Sequence, residues 1–220
     1  MYGEYSHDMP NRASRRSRAD TQPLASLRHR LVGAAVSMAD REGLEAVSIR
    51  RIAAELGLRP MSIYTYVASK EELLDLMAET VVAEVLVKQP LPKDWRAAVE
   101  TIALQSHQVF LAHPWLAAIS QQRPDLGRNA VHHAEQLLAA IAPLDLSPED
   151  AWQALFLIND YTLGHAIRVA HAPSLEAGTY PPFDAKQFPH LARTLPSARR
   201  RDINTFLAGL RLLLDGLSKA

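Results

Sequence analysis

The stretch Ser48-Ile49-Arg50-Arg51-Ile52-Ala53-Ala54-Glu55-Leu56-Gly57-Leu58-Arg59-Pro60-Met61-Ser62-Ile63-Tyr64-Thr65-Tyr66-Val67-Ala68-Ser69-Lys70-Glu71-Glu72-Leu73-Leu74 decides how the whole chain is read. Ser48 suits the N-cap of a short helix with Ile52, Ala53 and Leu56 on one side. Gly57 stops that helix after little more than two turns, and Leu58-Arg59 form the turn. Pro60 suits the first position of the next helix, where its missing N–H costs nothing. That helix is brief, Met61 to about Val67, with Ile63 and Val67 at i, i+4 for burial. Ser69-Lys70-Glu71-Glu72 is an S-x-x-E capping box. It opens a longer helix through about Lys88, on which Leu73, Met77, Val81 and Leu86 recur at helical spacing.

Upstream, Leu27, Leu31, Ala34, Ala35 and Met38 fall on one face of a helix that Gly43 stops. Three helices thus occupy 26–67, and the second and third are joined by a four-residue turn beginning at Gly57. This is the spacing of a helix-turn-helix. The second helix of such a pair is pinned by a few apolar residues and presents its other face to a groove. Met61, Ser62, Tyr64, Thr65 and Tyr66 suit that role. Hydroxyls bond bases or phosphates, a methionine touches a thymine methyl, and tyrosines reach phosphate oxygens. Arg50, Arg51 and Lys70 flank the same face. Any three-helix bundle has short helices and polar turns, so a helical adaptor that binds protein through 26–70 stays open on pattern alone.

Composition bounds the rest. A chain of 220 residues holds one or two domains. Hydrophobic residues make up 48%, enough for a sizeable core, which excludes wholesale disorder. With no cysteine there is no disulfide framework, thiolate zinc site or cysteine nucleophile. No apolar run reaches the ~18 residues of a membrane span. Met1 to Asp20 is polar and Arg-bearing, with no apolar stretch behind it, so a cytoplasmic protein rather than a secreted one is expected. Lys+Arg and Asp+Glu number 24 each, a formal charge of zero that argues against a nucleic-acid partner. The total hides a segregated distribution. Residues 10–60 hold ten arginines against five acids, 61–90 two lysines against five acids, and 91–220 twelve of each sign. The basic segment reads equally as a phosphate-binding surface or as a solvated face with a flexible tail.

Downstream, helices are expected at about 94–112, 115–121, 128–142, 148–171 and 199–217. His113-Pro114 breaks the first of these, and Ser147-Pro148-Glu149-Asp150 starts the fourth. Helix 148–171 is apolar on most faces and is expected to be buried on most of them. Six prolines and glycines in 172–197 predict a long irregular loop with at most one helical turn. No segment reads as a strand, so the chain is all-α.

The 48–74 stretch resembles the DNA-binding domain of TetR-family transcriptional repressors, uninterrupted in spacing. The family form is T-x-R-x-[IL]-A-x-x-x-G-v-s-x-x-x-[LI]-Y-x-[HY]-[FV]-x-[SN]-K-x-x-L-[LV]. The resemblance implies a three-helix helix-turn-helix DNA-binding domain at 26–70, after a flexible basic arm at 1–25. Helix 69–88 then leads into a larger helical ligand-binding and dimerisation domain at 71–220. Arg50 matches a base- or phosphate-contacting position, and Tyr64 and Lys70 match phosphate contacts. Arg59, Pro60, Met61, Ser62, Thr65 and Tyr66 fall on the recognition face, with Arg51 beside them. Pro60 and Met61 stand where many members have polar residues, which shifts part of the face toward thymine methyls or shape.

More loosely, Phe110-Leu111-Ala112-His113, Arg123-Pro124 and Tyr161-Thr162-Leu163-Gly164 resemble the C-terminal domain of tetracycline-type repressors. This implies a homodimer built on two copies each of helices 148–171 and 199–217, a double-stranded operator, and a small-molecule effector. Gly164 either lets helices of two subunits approach or relieves a crossing within one. The magnesium–tetracycline site does not carry over: its histidine position falls on Ile119 and its acidic position on Arg168. A different effector is expected, with no cofactor and no metal.

Nine histidines raise the question of a metal. His107 and His113 are i, i+6 across a proline, and the adjacent His132 and His133 point about 100° apart, so neither is a metal-binding pair. No G-x-S-x-G, P-loop, G-x-G-x-x-G or H-E-x-x-H occurs, and Asp160 with His165 lacks a nucleophile, so no enzyme is expected. Trp152, Phe156, Asn159 and Leu163 share a helical face that is either core or one wall of an effector pocket, with His107, Phe110 and Trp115 opposite.

Overall fold

The structure, a computed structural model, describes residues 13–122, 127–171, 182–195 and 202–218. Ten helices occupy them: α1 (Ala13–Glu42), α2 (Ile49–Glu55), α3 (Pro60–Ile63), α4 (Lys70–Val82), α5 (Trp95–Ala112), α6 (Trp115–Gln122), α7 (Arg128–Ile141), α8 (Pro148–His171), α9 (Pro189–Thr194) and α10 (Ile203–Leu217). Among the described residues there is no strand. The chain divides into two compact units, Met1–Met77 and Ala78–Ala220, and α4 runs from one into the other. The Arg12 end of the expected arm, Arg123-Pro124, much of 172–197 and the expected start of the last helix at Arg199 lie outside the described residues.

In the first unit, α1 buries Leu31, Val32, Ala35, Met38 and Ala39 against Val47, Ile52, Ala53, Ile63, Val67, Leu73 and Met77. Helix α1 begins at Ala13, thirteen residues before the expected start at Ser26. Ser48 caps α2 as predicted, its hydroxyl accepting from the Arg51 N–H. At the other end Gly57 takes φ +68°, which lets Leu58 N–H reach Ala53 C=O at 2.8 Å and Gly57 N–H reach Ala54 C=O at 3.2 Å. These are the two bonds of a Schellman stop.

In the second unit α5, α7, α8 and α10 share one core, built on Val99, Ile102, Leu137, Ile141, Leu155, Ile158, Phe206, Leu210 and Leu214. Three expectations change here. Helix α4 ends at Val82 rather than near Lys88. The Gln136 side-chain amide takes both backbone groups of Val87, at 3.1 and 2.7 Å, and holds that residue outside the helix. Helix α10 starts at Asp202, whose carboxylate accepts from Asn204 and Thr205 N–H while Thr205 Oγ1 accepts from Asp202 N–H. Helix α8 is not buried on most faces. Ala154, Leu155, Ile158, Thr162, His165 and Ala166 form one buried stripe, while Trp152, Phe156 and Leu157 face outward.

Candidate functional site

The first unit positions its candidate residues through the short α3. Ile63 and Val67 are fully covered and fix the helix to the unit's core. Beyond Ile63 the chain winds on as hydrogen-bonded turns, Tyr66 and Val67 N–H both reaching Ile63 C=O, rather than as regular helix to Val67. The opposite face carries Pro60, Met61, Tyr64 and Thr65, all exposed, with Ser62 and Tyr66 half-buried. Met61 is 77% exposed, an arrangement that no burial requirement of the unit explains.

The cations around this face divide into two sets. Arg28 pairs with Glu72 at 2.5 Å and Arg41 with Glu55 at 3.4 Å. Arg51 pairs with Glu42 at 2.7 Å and donates to the Ala46 carbonyl at 3.2 Å, tying α2 to the end of α1. The Arg51 guanidinium is thus engaged within the unit, although its side chain stays 47% exposed beside the face. Arg50, Arg59 and Lys70 are exposed and carry no ion pair among the described residues. A face of exposed Pro60, Met61, Tyr64 and Thr65 with half-buried Ser62 and Tyr66, flanked by three uncommitted cations, offers base-edge and phosphate contacts together.

The second candidate site is altered more. Trp152 and Phe156 lie with their rings 5.7 Å apart and tilted by 32° on the outer face of α8, 46% and 51% exposed. They do not oppose His107 or Trp115, because α8 turns the Leu155–Ile158 side inward instead. Leu163 is half-buried, and so is Phe110. Trp115 is buried and meets His113 edge-on at 5.9 Å.

The polar groups gather elsewhere, along the inner stripe of α8. His107 is 1% exposed, stacks on Phe206 at 4.2 Å and lies 2.9 Å, Nε2 to Nδ1, from His165. His165 Nε2 lies 3.3 Å from Thr205 Oγ1, and His133 Nε2 lies 3.2 Å from Asn159 Oδ1. Burial first, and His165 second, push His107 down to about 4. Burial likewise pushes His133 below the usual imidazole range, against the opposing hydrogen bond from Asn159. Both rings are neutral near pH 7. The pairings of Asn159 with His133 and of His107 with His165 are not legible from spacing along the chain, because their helices meet only in the fold. Beside them, Asp160, Tyr161, Gly164, His165, Arg168 and Thr205 line a half-open groove of about 380 Å³. A side chain at Gly164 would meet nothing within 4 Å, so this glycine does not relieve a crossing within the chain. Gly209 does, since a Cβ there would collide with the Tyr161 hydroxyl. Among the described residues no three His, Asp or Glu cluster as a metal site would require.

Two family descriptions match. Residues 31–77 match bacterial regulatory proteins of the tetR family, and residues 89–220 match the tetracyclin repressor-like C-terminal domain. The HTH-type transcriptional repressor DrrR1 of Streptomyces coeruleorubidus is 37% identical over 210 residues, covering 86% of this chain and 76% of its own. The tetracycline repressor protein class E of Escherichia coli is 26% identical, covering 86% and 89%. Among solved structures, the TetR family protein ActR of Streptomyces coelicolor in complex with actinorhodin is 30% identical with a TM-score of 0.75, covering 86% of this chain and 94% of that one.

Proposed function

Because the chain belongs to the TetR family of transcriptional regulators, we propose that it is a ligand-responsive repressor that binds a palindromic operator as a dimer. One observation carries this: the α3 face of Met61, Tyr64 and Thr65, exposed without structural need and bordered by the uncommitted Arg50, Arg59 and Lys70. On this reading α3 enters the major groove, Arg50, Tyr64 and Lys70 hold phosphates or bases, and Met61 meets a thymine methyl. Pro60, Ser62 and Tyr66 complete the face. Two such heads on a two-fold dimer require half-sites about one helical turn apart, or a multiple.

The outward apolar residues of α8 and α10 support the dimer, Trp152 and Phe156 with Ile203 and Leu212. That a similar protein was solved with a small molecule supports an effector in the second unit. Residues 26–70 would then be the DNA-binding domain and 71–220 the sensor. Helix α4, which belongs to both units, would be the lever, with coupling of roughly 1–3 kcal/mol. The protein is not an enzyme and acts in the cytoplasm, which agrees with its regulator relatives and with described helices none of which is long and apolar enough to cross a membrane. The arm at 1–25 either adds phosphate contacts or is neutral.

A gel-shift titration with the DNA upstream of the protein's own gene tests the reading. Salt-sensitive, sequence-preferring binding is expected, and its absence would sink the proposal. The double substitution Arg50→Ala and Tyr64→Ala should weaken binding by at least about tenfold while leaving the melting curve in place.

A further inference from the structure

Among the described residues, two buried imidazole nitrogens have no hydrogen-bond partner: Nδ1 of His107 and Nδ1 of His133. The surrounding bonds fix what they are. The Thr205 hydroxyl donates to the Asp202 carbonyl at 2.9 Å, so toward His165 it can only accept. His165 Nε2 therefore carries the proton and its Nδ1 is bare. His107 must then donate from Nε2 to that bare Nδ1, which leaves its own Nδ1 as a lone pair. The Asn159 side-chain carbonyl oxygen on α8 accepts from Nε2 of His133 on α7, so His133 Nδ1 is a lone pair as well.

Both orphans are thus acceptors, and neighbouring hydroxyls do not serve them. Ser106 Oγ donates to the Ile102 carbonyl at 3.0 Å, and Thr162 Oγ1 to the Ile158 carbonyl at 2.7 Å. The residues that hold the two histidines, Asn159 and His165, lie on α8 six positions apart, about 9 Å along its axis. A buried acceptor without a donor is costly, and an outside molecule can supply one.

We propose that the second unit binds its effector through the Nδ1 lone pairs of His107 and His133, and that the effector is a neutral, mainly apolar molecule bearing hydroxyl donors, a phenol above all. This rests on the effector-responsive reading given above. An anion would face a lone pair at each of the two nitrogens. An ammonium beside the two nitrogens would find no buried carboxylate, because the buried polar residues among those described are Ser106, His107, His113, Thr162 and His165.

The test uses the full-length protein with 15N-labelled histidine, observed by long-range proton–nitrogen NMR, and phenol, anisole and benzoate as probes. Without probe, both Nδ1 atoms should show the signal of a bare lone pair. Phenol should move them toward the hydrogen-bonded position, and anisole and benzoate should not. Phenol should bind about tenfold more tightly than anisole, and His107→Phe and His133→Leu should each erode that ratio toward one. If one variant fails to fold, the other and the wild-type spectra still decide. The proposal is overturned by protonated Nδ1 atoms, by Nδ1 signals that phenol leaves unmoved, by equal binding of phenol and anisole, or by Nδ1 atoms already hydrogen-bonded to a structural water only. A gel shift on the same preparation separates the two readings. DNA binding retained while the phenol test fails removes this proposal alone; loss of DNA binding removes the regulator reading beneath it.

Discussion

Arginine and histidine show how little a residue's type says about its task. Arg50 and Arg51 are neighbours with the same charge, yet Arg51 locks α2 to Glu42 while Arg50 stays uncommitted. His107 bears on stability as well as on binding. Its folded value lies near 4 against an ordinary 6.5, with His165 on α8 and the Thr205 hydroxyl on α10 in the network behind it. The unfolded imidazole takes a proton first, so the stability that His107 contributes is complete above pH 6.5 and is lost as pH falls toward about 4. The loss should reach about 3 kcal/mol. Thermal melts of the wild type and His107→Gln between pH 7.5 and 4 check this, and the variant should show a flatter profile.

Among elements, caps and stops were legible, because a cap is a local bond between residues a few positions apart. Ser48, Gly57 and Ser69 act as expected, with Ser69 Oγ accepting from Glu72 N–H at 3.1 Å. Element ends set by distant partners were not legible. Gln136 holds Val87, beyond the end of α4, from 49 residues away. Glu79 of α4 accepts from the Asn129 N–H at 3.0 Å at the start of α7, beside Gly127, where a Cβ would strike the Glu79 carboxylate. Gly127→Ala should therefore cost about 1–2 kcal/mol, since Glu79 must leave the α7 terminus. The same change in a Glu79→Ala background should cost clearly less, and a double-mutant cycle of melting data measures the difference. Equal costs in both backgrounds would show that Glu79 is not what the glycine accommodates.

At the scale of the molecule, a formal charge of zero is an average over unlike segments. On the proposed reading, binding through Arg50, Arg59 and Lys70 would make few phosphate contacts per head, so affinity should depend heavily on having two heads. The outer faces of α8 and α10 bear on that directly. Leu212 is 74% exposed, and Trp152, Phe156 and Leu157 are each more than two-fifths exposed. Leu212→Glu should leave each subunit folded by circular dichroism, shift sedimentation from dimer to monomer, and reduce operator affinity at least about a hundredfold. A dimer that survives this change would place the subunit contact elsewhere.

The sequence by itself determined the class and the reading head: all-helical, with the 48–74 stretch forming a capped, glycine-stopped helix pair. Those features rest on contacts within a few residues and on one apolar face of each helix, which spacing reveals. Only the tertiary structure decided which side of α8 faces inward, since that helix is apolar on nearly every side and periodicity cannot rank equivalent faces. That choice turned Trp152 and Phe156 outward and brought His107, His133, Asn159 and His165 to one stripe from three helices. The Nδ1 lone pairs of His107 and His133 become unmatched only where α5, α7 and α8 are packed together, and no spacing along the chain encodes that.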